Sequence, residues 1–252
     1  MINYMKSENY RLLRKKSLYM TSAICLLLIA AAAVVLYLSQ QHEANFPYAT
    51  SLFFYANVIN GSLGSLLILV VAFVFNLALT GKDISLIKQS ISFGIPRNVI
   101  YWSKLILTLS YFLLLCAIGI LFMIGLGENL LASEEQSVRN FLIASLNMLP
   151  IVLSGFFMIH MLSMLKVSEV YIIIMLLFIY IFSGDLLRMV LRSISGLDGL
   201  YKYAPSTLLD KNLMDFMDQA AQFGYRYWIT GIVISVISLL IGARKFTKQN
   251  ID

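Results

Sequence analysis

The sequence predicts an all-α polytopic membrane protein with six transmembrane helices, and two observations lead to that prediction. Of its 252 residues, 60% are hydrophobic and only 13% are charged, whereas soluble domains are about 45–50% apolar and about 25% charged. Six apolar stretches are also long enough to cross a bilayer, which takes about 20 residues per helix. They are 18–38, 60–79, 105–126, 141–165, 170–187 and 227–243. The remainder is too short for a second globular domain, so we expect residues 1–252 to form a single transmembrane domain.

The distribution of charge predicts the orientation of these spans. The segments before span 1, between spans 2 and 3, between spans 4 and 5, and after span 6 hold 13 basic and 4 acidic residues, a net charge of +9. The opposite loops hold 6 basic and 9 acidic residues, a net charge of −3. Cytoplasmic loops carry the excess of Lys and Arg in membrane proteins. Both termini are therefore predicted to be cytoplasmic, and the overall charge of +6 reflects orientation rather than nucleic-acid binding.

Three segments outside the spans have recognisable patterns. Residues 1–16 combine an apolar face with basic residues, which predicts a short helix lying on the membrane surface; a plain basic orientation signal is the alternative. The loop 80–104 is longer than the 2–8 residues that usually join two helices of a bundle. The third segment, 184–226, has the periodicity of half-buried helices that dip into the outer interface.

The loop 80–104 predicts a short amphipathic helix followed by a turn. Asp83 falls in the first helical turn, and Ile84, Ile87 and Ile91 then lie on one face. Gly94 ends the helix and Pro96 is compatible with the start of the next one. We therefore expect an exposed helix on the cytoplasmic side that leads directly into span 3.

Motifs for catalysis and cofactor binding are lacking. The nearest approach to a phosphate-binding loop is 76–83, which lacks the first glycine and the hydroxyl residue after the lysine. Any use of ATP would therefore require another subunit. Cys25 and Cys116 both lie in apolar runs, where a free thiol acts as a small hydrophobic group, so we expect neither a disulfide nor a metal site.

One rival class is an intramembrane protease. Glu134, Glu135 and Arg139, together with Phe156 and His160, resemble the Glu-Glu-x-x-x-Arg and Phe-x-x-x-His signatures of the CAAX-processing and bacteriocin-protection family. That family also needs a histidine on a later helix, and the other histidine here is His42. Pairing Ser154 with His160 as nucleophile and base fails as well, because six helical residues set them about 120° apart.

Polar residues inside spans tend to face the bundle interior or a transport path, because they are costly in hydrocarbon. The candidates for lining such a path are Asn57, Asn60, Asn76, Asn147, Ser154 and His160. The alternative is hydrogen bonding between helices. Few of the polar residues are ionisable, and Met and aromatic residues are abundant, which favours an amphipathic or lipidic cargo over a small ion. The alternative is that the Met and aromatic residues simply face lipid.

The segment 87–104, IKQSISFGIPRNVIYWSK, resembles the cytoplasmic loop after span 2 of ABC-2-type transporter permeases. The likeness is to the Gram-positive bacitracin, lantibiotic and peptide-resistance group, in which a Phe-Gly-Ile/Val-x-Arg turn precedes a Ser-Lys pair. The six-span layout, the basic N-terminus and the outer segment around Tyr203-Ala-Pro205 are similar too. The resemblance implies a type V exporter fold, in which 1–16 is an elbow helix, 82–97 a coupling helix with its turn, and 184–226 an outer re-entrant segment.

The resemblance also implies roles and partners. The chain would be a permease subunit in a bacterial cell membrane, with no catalytic residue and no cofactor of its own. A separate dimeric ABC ATPase would bind ATP and Mg²⁺, and a second permease, identical or homologous, would complete the path for exporting an amphipathic peptide, antibiotic or lipid-like compound. A non-transporting immunity protein is the third alternative. The residues implied in coupling to the ATPase are Lys82, Asp83, Ser85, Lys88, Gln89, Phe93, Gly94, Pro96, Arg97 and Lys104.

Overall fold

The structure, a computed structural model, describes residues 2–42, 47–80, 84–192 and 199–248. The helices in these ranges are α1 (Ile2–Leu13), α2 (Lys16–His42), α3 (Ser51–Ile59), α4 (Gly61–Thr80), α5 (Ile84–Ser92), α6 (Arg97–Leu130), α7 (Ser137–Met164), α8 (Glu169–Leu177), α9 (Ser183–Leu191), α10 (Pro205–Met217) and α11 (Tyr225–Lys248). A π-helical turn (Phe178–Phe182) joins α8 to α9, and a 3₁₀ turn (Leu200–Tyr203) precedes α10. No strand forms within the described ranges, so the all-α prediction is confirmed.

Six helical segments in this part of the chain are long and apolar enough to cross a membrane. They are α2, α4, α6, α7, the continuous run Glu169–Leu191, and α11. Each contains most or all of one predicted apolar stretch. The largest difference is at α6, whose 34 residues span about 51 Å at about 1.5 Å per residue, well beyond a hydrocarbon core of about 30 Å. The chain is a multi-pass membrane protein, and both ends of α6 extend past the apolar core.

The bundle has two distinct ends. The inner end, to which the charge count assigns the cytoplasm, holds α1, α5, the start of α6 and the end of α11. The outer end holds α3, α10 and the acidic connector between α6 and α7. The predicted surface helix over 1–16 corresponds to α1, which packs against α6 and buries Leu12.

One helix at the outer end has no counterpart among the predicted elements. Span 2 is preceded by the separate helix α3, which Thr50 caps through its side-chain oxygen, and the chain turns at Gly61, where φ is +45°. Asn57 and Asn60 belong to α3 and its end and are exposed, so they lie outside span 2. Tyr55 of α3 donates a hydrogen bond to the Glu128 carboxylate at 3.0 Å, and burial together with that hydrogen bond raises the pKa of Tyr55.

The middle of the bundle is built around α7, which packs against both α4 and α11. Its inward side is aromatic and aliphatic, with the Phe112 and Phe156 rings stacked at 5.1 Å. Helices α7 and α11 approach closely at Gly231 of α11, where an added Cβ would lie 2.4 Å from the Pro150 carbonyl oxygen of α7. Small residues allow such close contact between helices in membranes, where packing replaces the hydrophobic driving force.

The outer segment contains helical structure, in line with the predicted periodicity. The run of span 5 continues to Leu191, and α10 then buries Leu208, Leu209 and Phe216 against the outer ends of the spans. Residues 193–198 lie outside the described ranges. Helix α10 of this segment thus covers the outer end of the bundle.

Replacing Gly231 by Ala should destabilise the bundle by about 1–3 kcal/mol, the usual cost of overpacking a tight contact. The matched control is Gly125→Ala in α6, where nothing lies within 4 Å of an added Cβ. Thermal unfolding of the purified variants in detergent measures the difference. Equal melting temperatures for the two variants would contradict the close α7–α11 contact.

The orientation is tested with single cysteines in a C25A/C116A background. Lys88 and Lys211 are both exposed lysines on short helices at opposite ends of the bundle. A membrane-impermeant maleimide should label K211C in intact cells and K88C only after permeabilisation, because the inner end carries the excess of basic residues. The reverse labelling pattern would overturn the orientation.

Candidate functional site

The helix α5 and its turn lie at the inner end, as the loop pattern predicts. Gly94 has φ of +79°, and its N–H bonds to the Ile91 carbonyl at 2.9 Å, while the Ile95 N–H bonds to the Ser90 carbonyl at 3.1 Å. These bonds satisfy the last carbonyls of α5 and require a residue that tolerates positive φ. Helix α6 then begins directly after Pro96. The stop at Gly94 and the restart at Pro96 are confirmed.

One side of α5 reaches the bundle through Ile87. This residue joins a small apolar cluster with Ile100 and Tyr101 of α6, Met164 of α7 and Phe246 of α11. All five side chains are buried. The cluster therefore places one side chain of α5 among residues at the inner ends of spans 3, 4 and 6.

The opposite face of α5 is open. Phe93 is 74% exposed, and Lys88 and Gln89 are exposed beside it. Gly94 and Pro96 form the exposed turn. Lys82 and Asp83 lie outside the described residues, and Ser85 lies within α5. The helix therefore presents an aromatic side chain, a cation and an amide away from the bundle.

Arg97 and Lys104, two of the residues implied in coupling to the ATPase, are less accessible than the exposed residues of α5. Arg97 is half-buried and donates a hydrogen bond to the Thr247 carbonyl at 3.1 Å, so it ties the start of α6 to the end of α11. Lys104 is 0% exposed and donates to the Leu79 carbonyl at the end of α4. The expectation that Lys104 faces an ATPase is therefore wrong, because its ammonium group is enclosed by the chain itself.

Glu8 of α1 is the acidic partner of this enclosed lysine. Its carboxylate lies 3.4 Å from Lys104 Nζ and 2.7 Å from Arg11 Nη2, and Glu8 is itself buried. Burial and the neighbouring Glu8 carboxylate raise the pKa of Tyr4, on the same helix. Helix α1 is held to α6 a second time by Tyr111, whose hydroxyl donates to the Asn9 side-chain oxygen at 2.8 Å.

A groove of about 780 Å³ separates α1 from α5. Its walls include Tyr4, Glu8 and Arg11 from α1, and Gln89 and Phe93 from α5 with its turn. The groove combines aromatic, charged and amide groups at the inner end of the bundle. Together, α5, the Glu8–Lys104 pair and this groove are called the inner platform below.

Two of the six path candidates form a buried pair close to the inner platform. His160 Nδ1 and Asn76 Oδ1 are 2.9 Å apart, and because an amide oxygen only accepts, the proton must be on Nδ1. Asn76 also donates to the Ala72 carbonyl at 3.0 Å, and the Tyr101 ring lies edge-on to the imidazole at 4.9 Å. The pair links span 2 to span 4 as a hydrogen bond between helices.

The other path candidates lie elsewhere. Ser154 donates to the Ile151 carbonyl at 2.6 Å and pairs with the Tyr180 hydroxyl at 2.7 Å, in the π-helical turn of span 5. Asn147 bonds to Asn212 of α10 and to the Gln222 carbonyl near the outer end. Asn57 donates to carbonyls of its own helix, and Asn60 ends that helix. The six residues are thus distributed over separate contacts and share no cavity among those described.

The geometry argues against the intramembrane protease. Glu134 lies just before α7, at the outer end, where its carboxylate accepts a hydrogen bond from Gln219 at 2.7 Å. His160 lies near the other end of the same helix, about 35 Å away at about 1.5 Å per residue. A general base and a water nucleophile must lie within hydrogen-bond reach. Glu134, Glu135 and His160 therefore cannot act on one water molecule.

Two residues of the inner platform were not singled out from the sequence. Glu8 was counted only as an acid in a basic segment, although a lone carboxylate among five basic residues of 1–16 is a signal of pairing. Tyr101 is fully buried against His160 and Phe246, whereas an aromatic residue just before a span is typical of the membrane interface. Scans against family models, curated proteins and solved structures found no match for this chain.

Replacing Lys104 by Met should lower the free energy of unfolding by about 3 kcal/mol, because breaking a buried ion pair leaves a charge without its partner. The double variant E8Q/K104M should lose less than the sum of the two single variants, since the groups are coupled. Lys88→Met, at an exposed lysine, should change stability by about 0.5 kcal/mol or less. Thermal unfolding in detergent measures all four, and a K104M protein as stable as K88M would contradict the pair.

Proposed function

We propose that this chain is the membrane-spanning permease subunit of an ATP-binding cassette exporter that moves an amphipathic peptide, antibiotic or lipid-like compound out of a bacterial cell. The observation that carries this proposal is α5. Its Ile87 side chain is buried in an apolar cluster with residues of three spans, while Lys88 and, in the turn after the helix, Phe93 are exposed. A helix packed in this way is suited to receiving a force from a partner and passing it to the membrane helices.

The energy source would be a separate ATPase dimer. The sequence 76–83 lacks the glycine and the hydroxyl residue that a phosphate-binding loop requires, so ATP and Mg²⁺ would bind to the partner. Exposed aromatic residues that become buried often dominate the binding energy of an interface. Phe93 fits that role on the permease side, with Lys88 and Gln89 around it.

Movement would then spread from α5 in two directions. The buried cluster couples α5 to the inner ends of α6, α7 and α11, and Arg97 ties the start of α6 to the end of α11. Through Lys104, the same stretch of α6 is joined to α1 and to the end of α4. Closure of the ATPase dimer would therefore shift the inner ends of several spans as a unit.

A second permease is part of the proposal because the middle of this bundle is filled. The Phe112 and Phe156 rings stack there, and the Ser154 and Tyr180 hydroxyl groups hydrogen-bond to each other. In contrast, α2 buries only 6% of its apolar window, and the span Glu169–Leu191 buries 22%. The path would thus run along the outside of this chain, between two copies or two related permeases, where apolar walls suit an amphipathic cargo.

The test uses the full-length protein expressed with an ABC ATPase encoded beside it. The two should copurify, and the ATPase activity of the complex should depend on the permease. Phe93→Ala should weaken the complex by about tenfold or more, the loss expected for an aromatic hot spot, without lowering the melting temperature of the permease. Phe223→Ala, at an aromatic residue exposed at the outer end, is the matched control and should leave binding unchanged.

Three outcomes would count against the proposal. A functional transporter recovered without any nucleotide-binding partner would remove the role for α5. Equal binding by F93A and F223A would show that α5 is not the contact. If a catalytically inactive ATPase left resistance to the cargo intact, the chain would be a binding or immunity protein and not an exporter.

A further inference from the structure

Two arginines contact one short turn at the outer end, and the turn itself carries a lysine. The 3₁₀ turn Leu200–Tyr203 carries Lys202, while Arg188 reaches it from α9 and Arg226 from the start of α11. We call Arg188, Lys202 and Arg226 the outer basic patch. The patch is unexpected on this side, because the outer loops together carry a net charge of −3.

Tyrosine rings of the turn hold the two arginines in place. The Arg188 guanidinium carbon lies 5.0 Å from the centre of the Tyr201 ring, and that of Arg226 lies 5.7 Å from the centre of the Tyr203 ring. Both distances fall within the range of a cation–π contact. The turn itself is fixed to α11, because the Thr230 hydroxyl donates to the Tyr203 carbonyl at 3.0 Å.

The charges of the patch are not neutralised by the part of the chain that the structure describes. No carboxylate in the described ranges forms an ion pair with Arg188, Lys202 or Arg226. Asp185 lies one helical turn before Arg188 on α9 and is exposed. A cation–π contact engages the face of a guanidinium group, so the Arg188 N–H groups can still donate two parallel hydrogen bonds to an anion. The Arg226 guanidinium also hydrogen-bonds to the Tyr203 and Tyr225 hydroxyls, and its remaining N–H donors can contact the same anion.

Exposed apolar residues surround the patch. Met189 is 79% exposed and Val190 is 62% exposed, next to Arg188 on α9, and Leu200 begins the turn and is exposed as well. Exposed apolar side chains beside arginines and tyrosines are typical of the boundary between lipid headgroups and acyl chains. A ligand that satisfies both features has an anionic head and an apolar tail.

We propose that Arg188, Lys202 and Arg226 bind the phosphate headgroup of an anionic phospholipid in the outer leaflet, with its acyl chains against Met189 and Val190. The site is independent of the proposed transport function, since it uses no residue of the inner platform. It also joins the outer end of span 5 to the start of span 6, so a bound lipid would hold these two spans together through the turn.

The test places the purified protein in nanodiscs of phosphatidylcholine with increasing amounts of phosphatidylglycerol. Phosphatidylglycerol should raise the melting temperature and should remain bound in native mass spectrometry. The double variant R188Q/R226Q should need about tenfold more phosphatidylglycerol for the same effect. R139Q/K211Q, which removes two exposed outer cations away from the turn, is the control with the same loss of charge and should behave as the wild type.

Each other result would overturn the proposal. If both double variants needed equally more phosphatidylglycerol for the same rise in melting temperature, the effect would be a general one of charge. If phosphatidylglycerol stabilised the wild type no better than phosphatidylcholine, there would be no site. Competition by soluble glycerol phosphate as effective as by the lipid would mean a phosphate site with no role for the acyl chains. Should R188Q/R226Q fail to fold, K202Q, at an exposed lysine, must still show weaker retention of phosphatidylglycerol than K211Q.

Discussion

The absence of water from the hydrocarbon core is the constraint on which this structure depends. Every backbone group there must be bonded within the chain, which restricts the spans to helices, and every polar side chain needs a protein partner. Asn76 with His160 and Ser154 with Tyr180 meet that need by pairing across spans. These four residues therefore serve as contacts between helices, and the cargo path of an exporter would have to lie outside the filled core.

Charge is used differently at the two ends of the bundle. At the inner end, Lys104 is enclosed and joined to Glu8, so a cation that appears available in the sequence serves instead to fix α1 onto α6. At the outer end, Arg188 and Arg226 lie over tyrosine rings and form no ion pair within the described ranges. The Glu8–Lys104 ion pair stabilises the fold, whereas the outer arginines present their charge to the surroundings.

The proposed function depends on α5 because this helix combines a buried contact with an exposed neighbouring side chain. Ile87 belongs to the buried cluster, and Phe93, in the turn directly after α5, is exposed. In the proposed exporter, Phe93 would meet the partner while Ile87 connects α5 to the bundle. The Glu8–Lys104 pair joins α6 to α1, and Lys104 also donates to the end of α4.

The membrane class, the six spans, a helix near the N-terminus and the turn at Gly94 and Pro96 could be predicted from the sequence, because hydrophobic length and turn chemistry are local properties. The tertiary structure alone decided which polar and charged residues are enclosed. Lys104 and Arg97 look alike in the sequence, yet one faces Glu8 and the other Thr247. The partners lie about 100 to 150 residues away, and local periodicity carries no information about contacts at that separation. The same reason explains why the contacts of Arg188 and Arg226 with one turn emerged only from the folded chain.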